Sequence, residues 1–120
     1  MKQLIECVPN ISEGRDENII KQVTDMVETV EGVRLIDVDP GHATNRTVIT
    51  FVGTPDEVCE AAFRVVKKAA ELIDMSKQTG AHPRFGATDV CPFIPVSNIT
   101  MEETVEYARK LAKRIGDELH

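Results

Sequence analysis

Apolar residues recur at three- and four-residue intervals in three segments of the chain, a pattern typical of helices that bury one face. The segments cover residues 16–32, 54–73 and 100–119. Thr54 and Thr100 each stand three residues before a glutamate, which predicts a capping box at the start of the second and third helices. Gly32 is expected to end the first helix. The positions predicted to face the core are Ile19, Ile20, Val23, Met26, Val27 and Val30, then Val58, Ala61, Ala62, Val65, Ala69, Leu72 and Ile73, then Val105, Ala108, Leu111, Ala112, Ile115 and Leu119.

Short apolar runs rich in β-branched residues predict strands between these helices. They cover residues 4–9, 33–38, 47–52 and 90–96. Pro9 is expected to end the first strand and to pass the chain into a turn at residues 10–14. A sharp break is expected at Asp39-Pro40-Gly41. The last run contains Pro92 and Pro95, so it is placed near a sheet edge.

The order βαββαβ followed by one more helix predicts a ferredoxin-like sandwich of the α+β class. The expected sheet is antiparallel, with the helices on one face and an extra C-terminal helix. Residues 1–120 then form one domain. The second sheet face is left open, and an exposed apolar sheet surface is rarely tolerated. We therefore expect a partner chain, a missing second half or a ligand to cover it.

The composition argues against one class of binding partner. A net charge of −6 and a pI near 5.0 argue against nucleic acid, whose binding depends on many contacts from Lys and Arg to phosphate.

No apolar run reaches the ~20 residues of a membrane span, and the N-terminus has no signal-peptide pattern, so a soluble cytoplasmic protein is expected. The three cysteines are far apart and predict neither disulfides nor a metal site. An anionic ligand would need local cations such as Arg46 and Arg84.

The segment 76–89 is predicted to be a long loop, and loops of this length in compact domains are often functional. Within it, His82 is followed by a proline and flanked by glycines, which favours a rigid, closely approachable turn. Imidazole has an unperturbed pKa of about 6.5 and can take and give a proton near neutral pH. Arg84 is adjacent, and Asp89 is close enough in sequence to orient the ring. The alternative is an ordinary loop histidine exposed to water.

A second cluster lies between Asp37 and Arg46. In a strand that begins at Val33, Asp37 and Asp39 share one face, while Ile36 and Val38 share the other. Two carboxylates at one strand end need nearby donors or cations, which Asn45 and Arg46 could supply. The alternative is a solvated hairpin tip in which these residues serve only turn geometry.

A third cluster lies between Asn10 and Arg15. It could place backbone donors and the Ser12 hydroxyl at a helix start, where an anion is favoured. The alternative for Ser12 is a plain helix cap.

These residues resemble a known family. The sequence is similar, essentially end to end, to the amino-terminal subdomain of glutamate formiminotransferases, including the transferase part of formiminotransferase-cyclodeaminase. Several stretches in the same order are more specific than a single motif. The stretches that carry the resemblance are residues 6–15, 37–41, 44–48, 51–53, 72–75, 80–86 and 89–96.

The resemblance implies two similar ferredoxin-like subdomains whose sheets face each other across a folate-binding tunnel, assembled as a homodimer. It implies transfer of a formimino group from formiminoglutamate, a product of histidine breakdown, to tetrahydrofolate as co-substrate, without a metal. The family's catalytic histidine falls on His82, and its acidic residue falls on Asp39. Charge alone makes Arg46 and Arg84 candidates for the glutamate carboxylates. The remaining candidates for substrate or folate contacts are Asn10, Ser12, Asn45 and Asp89.

One departure from the family leaves a second interpretation open. The family's transferase unit is more than twice the length of this chain, so the sequence is either a fragment or a stand-alone domain with half of the tunnel. In the second case it would be a non-catalytic module of ferredoxin-like fold that binds folate or another small molecule.

Overall fold

The computed structural model describes residues 2–73, 88–90 and 92–118 of the chain. In these ranges it contains six strands and three helices. Their order is β1 (Leu4–Cys7), β2 (Asn10–Ile11), α1 (Glu17–Glu28), β3 (Val33–Gly41), β4 (Arg46–Gly53), α2 (Pro55–Leu72), β5 (Thr88–Val90), β6 (Phe93–Ser97) and α3 (Met101–Glu118).

The strands form one antiparallel sheet in the described ranges. Strand β4 pairs with β3 on one side and with both β1 and β2 on the other. Strands β6 and β5 in turn pair with β1 and β2. When β1–β2 and β5–β6 are each counted as one interrupted strand, the order across the sheet is β3, β4, β1–β2, β5–β6. This order confirms the predicted ferredoxin-like class of fold.

The first strand continues beyond Pro9, contrary to the sequence prediction. Pairing resumes at Asn10, which lies opposite Val48 in the register that β1 already has with β4. Proline has no N–H to donate, but its carbonyl still accepts a hydrogen bond from the Ile49 N–H at 3.0 Å. The predicted turn at residues 10–14 therefore begins only after Ile11.

Strand β3 also continues past its predicted end at Val38. It runs through Pro40 to Gly41, and the turn that follows occupies residues 42–45. Among the described residues β3 pairs only with β4 and is an edge strand. An edge strand tolerates proline because the missing N–H has no ladder partner to lose. The sharp break predicted at Asp39-Pro40-Gly41 is thus wrong.

A β-bulge at Ile36 changes the phase of β3. Leu35 lies opposite Phe51 and Asp37 lies opposite Thr50, so Ile36 is an extra residue between them. Its side chain is 53% exposed. The prediction that Ile36 and Val38 share a face is therefore wrong, because one extra residue reverses the alternation.

The predicted loop 76–89 ends earlier than expected. Thr88 already belongs to β5, where it pairs with Ile11, and Asn10 pairs with Val90. The strand predicted at residues 90–96 is confirmed at the sheet edge as β6, with β5 ahead of it.

All three helices pack on the same face of the sheet and enclose the core. The predicted apolar faces of α1 and α2 are confirmed, since their members are buried or half-buried. The predicted face of α3 is confirmed in part: Leu111 is buried, Ala108 and Ile115 are half-buried, and Leu119 lies outside the described residues. Val105 is 39% exposed and Ala112 is exposed, whereas Thr104 is buried beside Leu111 on the core side. The Thr104 hydroxyl donates to the Thr100 carbonyl at 2.8 Å, which satisfies this polar group within the core.

The helix starts differ in how well their capping was predicted. At α3 the capping box is confirmed: the Glu103 N–H donates to the Thr100 hydroxyl at 3.1 Å, and the Thr100 N–H donates to the Glu103 carboxylate at 3.0 Å. At α2 the start is correct, but the Thr54 hydroxyl donates to the Glu57 carboxylate instead of accepting from the backbone. This bond lowers the pKa of Glu57.

In the part of the chain that the structure describes, no helix combines the length and apolarity needed to cross a membrane.

Candidate binding site on the open sheet face

The face of the sheet away from the helices carries three transverse rows of side chains. Strand β4 alternates strictly between buried and half-buried residues, and its half-buried members point to this open face. The register places them between partners on the neighbouring strands. The rows are Arg34, Val52, Glu6 and Ile94; then Asp37, Thr50 and Val8; then Asp39, Val48 and Asn10.

The third row ends in a depression of about 310 Å³. It brings together three predicted site residues that are distant in sequence: Asn10, Asp39 and Arg46. Its lining residues are Asn10, Asp39, Gly41, Thr44, Arg46 and Val48. The prediction that Asp37 and Asp39 share a face is confirmed, but Asp37 lies one row away, opposite Thr50.

The chemistry of this depression suits a ligand that carries both signs of charge. The guanidinium of Arg46 offers a planar set of donors for a carboxylate. Asp39 offers an acceptor for a cationic or N–H-bearing group, and the Asn10 amide can donate and accept.

Two other predicted site residues are buried. Ser12 is fully buried, and Asn45 is 3% exposed. The Asn45 side-chain oxygen accepts a hydrogen bond from the Gly14 N–H at 2.8 Å. Asn45 has a φ of +53°, in the left-handed region that asparagine tolerates better than most residues. It thereby closes the turn between β3 and β4.

Ser12 is not the cap of α1. That cap is Asp16, whose carboxylate accepts from the backbone N–H groups of Asn18 and Ile19 at 3.0 and 3.3 Å. The alternative reading of Ser12 as a plain helix cap is therefore wrong, because the helix begins four residues later than Ser12 would require. The binding role predicted for Ser12 stays a prediction.

Three predicted residues come from the segment before β5. His82 and Arg84 lie outside the described residues. Asp89 lies in β5, whose backbone pairs with β2 next to Asn10. The chain thus enters the sheet at Thr88, six residues after His82 in sequence, beside the strand that carries Asn10.

The sequence interpretation missed several residues of this region. Val48 lies between Asp39 and Asn10 in the third row, and strict alternation along β4 could have identified it. Glu13 is buried, with its carboxylate accepting from the N–H groups of Arg15 and Asp16, both at 2.9 Å. No local pattern predicts a buried glutamate, because its partners are backbone groups of a loop.

Comparison with known proteins gives one consistent result. Residues 4–120 match the family described as the N-terminal subdomain of the formiminotransferase domain. A formimidoyltransferase-cyclodeaminase of Dictyostelium discoideum is 53% identical over 99% of this chain and 22% of its own length. A glutamate formimidoyltransferase of Thermoplasma acidophilum is 50% identical over 97% of this chain and 38% of its own. A glutamate formimidoyltransferase of Streptococcus pyogenes serotype M1 is 45% identical over 99% of this chain and 40% of its own length. The chain therefore spans between about a fifth and two fifths of these relatives.

Proposed function

Because the chain belongs to the family of N-terminal subdomains of formiminotransferase domains, we propose that it supplies one half of a glutamate formimidoyltransferase site. The substrates are formiminoglutamate, from histidine degradation, and tetrahydrofolate. The observation that carries the proposal is the depression on the open sheet face, where Asn10, Asp39 and Arg46 meet. A carboxylate, a guanidinium and an amide match the charges of an amidine-bearing amino acid with two carboxylates.

The reaction requires one new bond, one broken bond and one proton moved. Nitrogen 5 of the reduced pterin attacks the formimino carbon, and a tetrahedral intermediate forms. Its bond to the glutamate nitrogen then breaks. The proton lost by nitrogen 5 must reach the departing amine, so atoms and charge balance without a further reactant. A single imidazole can carry out both transfers, and general acid–base assistance of this kind contributes about 10²–10⁴ in rate.

We assign that imidazole to His82. Asp39 stabilises the cationic character that develops on the formimino nitrogens, and Arg46 and Arg84 bind the glutamate carboxylates. Asn10 and Asp89 contact the folate or the amino acid. The chain returns into the sheet at Thr88, beside the strand that carries Asn10. This placement supports the proposal that the segment with His82 approaches the depression.

The open sheet face also needs a cover in the working enzyme. Exposed Ile94 and Val96 and half-buried Val48 and Val52 give it apolar area. We propose that a second, similar subdomain faces it and that folate binds between the two sheets. Assembly as a homodimer and a cytoplasmic location belong to the same proposal.

The direct test is His82→Ala in the natural full-length protein. We expect a fall in kcat of at least about a hundredfold, because no other group replaces the proton transfer. The matched control is His42→Ala, which removes an exposed imidazole from the turn after β3 and is expected to leave kcat unchanged. Calorimetry with tetrahydrofolate accompanies the kinetics.

Near-normal turnover of His82→Ala would remove His82 from the mechanism. Tetrahydrofolate binding by a full-length protein that shows no transfer at all would instead support the non-catalytic module.

A further inference from the structure

We propose that Asn45 and Thr47, the two neighbours of Arg46 in sequence, are positioning residues that hold the Arg46 guanidinium in the depression. This inference rests on the proposed function, in which Arg46 binds a substrate carboxylate. It assigns Asn45 and Thr47 to the placement of Arg46 and not to ligand contact.

Both neighbours of Arg46 are tied to the same short loop. The Asn45 side-chain oxygen accepts from the Gly14 N–H at 2.8 Å. The Thr47 hydroxyl donates to the Glu13 carbonyl at 2.5 Å. The Arg46 side chain therefore extends from a stretch of backbone that is held on both sides, by Asn45 and by Thr47. We call this set of contacts, made by Glu13, Gly14, Asn45 and Thr47, the loop clasp.

Backbone atoms approach each other so closely in the loop clasp that a small shift of the loop would move the Arg46 backbone. A side chain on Gly14 would begin 2.4 Å from the Gly41 carbonyl oxygen and 2.6 Å from the Arg46 backbone nitrogen and oxygen. Only glycine permits this approach, and backbone atoms cannot move aside as a flexible side chain can. The backbone of Arg46 is thus packed directly against Gly14.

The loop clasp also joins the segments that supply the depression. The loop that holds Glu13 and Gly14 follows β2, which carries Asn10. The turn that holds Asn45 connects β3, which carries Asp39, with β4. The Arg15 side chain adds a hydrogen bond from Nε to the His42 carbonyl at 2.9 Å. A shift of the loop would therefore change the distances among all three polar groups of the site.

Burial closes the Asn45 and Thr47 side chains to a ligand. Thr47 is 0% exposed and belongs to the core-facing alternation of β4, and Asn45 is 3% exposed. An effect of either residue on substrate binding must then be indirect, and Arg46, which lies between them in sequence, is the site residue coupled to them most directly. Misplacement of a substrate-binding group by about 1 Å can cost about 10²-fold in rate.

The test uses Thr47→Val in the natural full-length protein, which keeps the side-chain shape and removes the hydroxyl. We expect the KM for formiminoglutamate to rise about tenfold, equivalent to ~1.4 kcal/mol, with little change in the KM for tetrahydrofolate. Thr47→Ser restores the donor and is expected to recover the KM. Asn45→Gly, which keeps the left-handed backbone accessible, is expected to behave like Thr47→Val and serves if Thr47→Val fails to fold.

The matched control is Thr104→Val. It removes another buried hydroxyl that donates to a backbone carbonyl, on α3 and outside the depression. We expect a comparable loss of stability with an unchanged KM. Hydrogen exchange of the Gly14 amide reports independently whether the loop clasp has opened.

Three results would overturn the inference. If Gly14 exchanges faster in Thr47→Val but the KM for formiminoglutamate stays normal while Arg46→Met raises it, Arg46 binds substrate without help from the loop clasp, and the proposed function stands. If Thr104→Val raises the KM as much as Thr47→Val, the effect is general destabilisation. A normal KM in Arg46→Met would instead remove Arg46 from the substrate site, and the inference fails together with that part of the proposed function.

Discussion

At the scale of single residues, two aspartates on β3 allow the site to be compared with its surroundings. Asp37 and Asp39 are both exposed on the open face, but only Asp39 lines the depression. Asp37 lies opposite Thr50, one row away. The pair therefore offers the same functional group in nearly the same environment, with a different distance to the proposed substrate.

We predict that Asp39→Asn lowers kcat/KM for formimino transfer by about 10²–10³-fold, because it removes a fixed charge that stabilises developing cationic character. Asp37→Asn is expected to leave kcat/KM within the range of the unmodified protein. Steady-state kinetics on both variants make the comparison. Equal effects of the two substitutions would mean that the open face acts only through its overall charge.

The sequence predicted which of these residues lie close together better than it predicted the contacts of each side chain. Asp39 and Arg46 could be paired from the sequence because a strand–turn–strand segment brings its two ends together. Asn45 also belonged to that segment, but its burial depends on Gly14, 31 residues earlier in the chain. Contacts between distant loops leave no periodic trace, so the hydrogen bond of Asn45 to the Gly14 backbone could not be predicted, and the ligand contact predicted for Asn45 stays a prediction.

At the scale of elements, an ion-pair network fixes α3 against α2. The Glu60 carboxylate accepts from Arg64 at 2.8 Å within α2 and from Arg114 of α3 at 2.7 Å. Arg114 also pairs with Glu118 at 2.9 Å, and its guanidinium lies 3.6 Å from the centre of the Phe63 ring. Arginine suits this role because one planar group can stack on a ring and donate to two carboxylates.

This network makes the packing of α3 depend on pH. Burial alone would raise the pKa of Glu60, but the hydrogen bonds from Arg114 and Arg64 outweigh it and leave the pKa below its ordinary value. A lowered folded-state pKa stabilises the fold fully above the unfolded-state pKa, and this contribution is lost as the pH falls through the folded-state value. We predict that Glu60→Gln is destabilising near neutral pH and that its difference from the unmodified protein shrinks below about pH 4.

Urea unfolding at several pH values measures that difference, and Glu106→Gln is the control. Glu106 pairs with Arg109 at 2.7 Å within α3, but both side chains are exposed. An exposed pair contributes at most about 1 kcal/mol. A Glu60→Gln difference that stays constant down to pH 3 would show that shape, and not charge, joins the two helices.

The elements themselves were predictable where one strong period dominates. Helices α1 and α2 each carry a continuous apolar stripe, so their starts and buried faces were close to the prediction, although α1 ends at Glu28 and not at Gly32 as predicted. On α3 the burial of Thr104 was not predictable, because its hydroxyl donates to the Thr100 carbonyl and the side chain then packs like an apolar residue. Strand β5 was missed because three residues are too few for a period to be visible.

At the scale of the whole molecule, the sheet has one face in the core and one that carries no helix among the described residues. Phe51 and Val52 are adjacent on β4 and point to opposite faces. Phe51 is fully buried beneath the helices, whereas Val52 is half-buried on the open face between Arg34 and Glu6. Their substitutions can therefore measure each face separately.

We predict that Phe51→Ala destabilises the 120-residue chain by about 3–5 kcal/mol, and Ile49→Val, its milder equivalent on the same face, by about 0.5–1.5 kcal/mol. Val52→Ala is expected to cost less than about 1 kcal/mol in this chain, because little area around Val52 is removed from water. In the natural full-length protein the cost of Val52→Ala is expected to rise as the open face is covered. Denaturant unfolding of both forms gives the comparison, and an unchanged cost would argue against a cover at Val52.

The bulge at Ile36 has a consequence for how this domain tolerates changes in length. Ahead of the bulge, Val33 and Leu35 point inward, and plain alternation through Ile36 would turn both aspartates inward as well. Because Ile36 is the extra residue, loss of its codon would leave Leu35 opposite Phe51 and Asp37 opposite Thr50 and would keep both carboxylates on the open face. Strand β3 is therefore expected to accept a one-residue deletion at Ile36 without reversing the faces of the residues that follow.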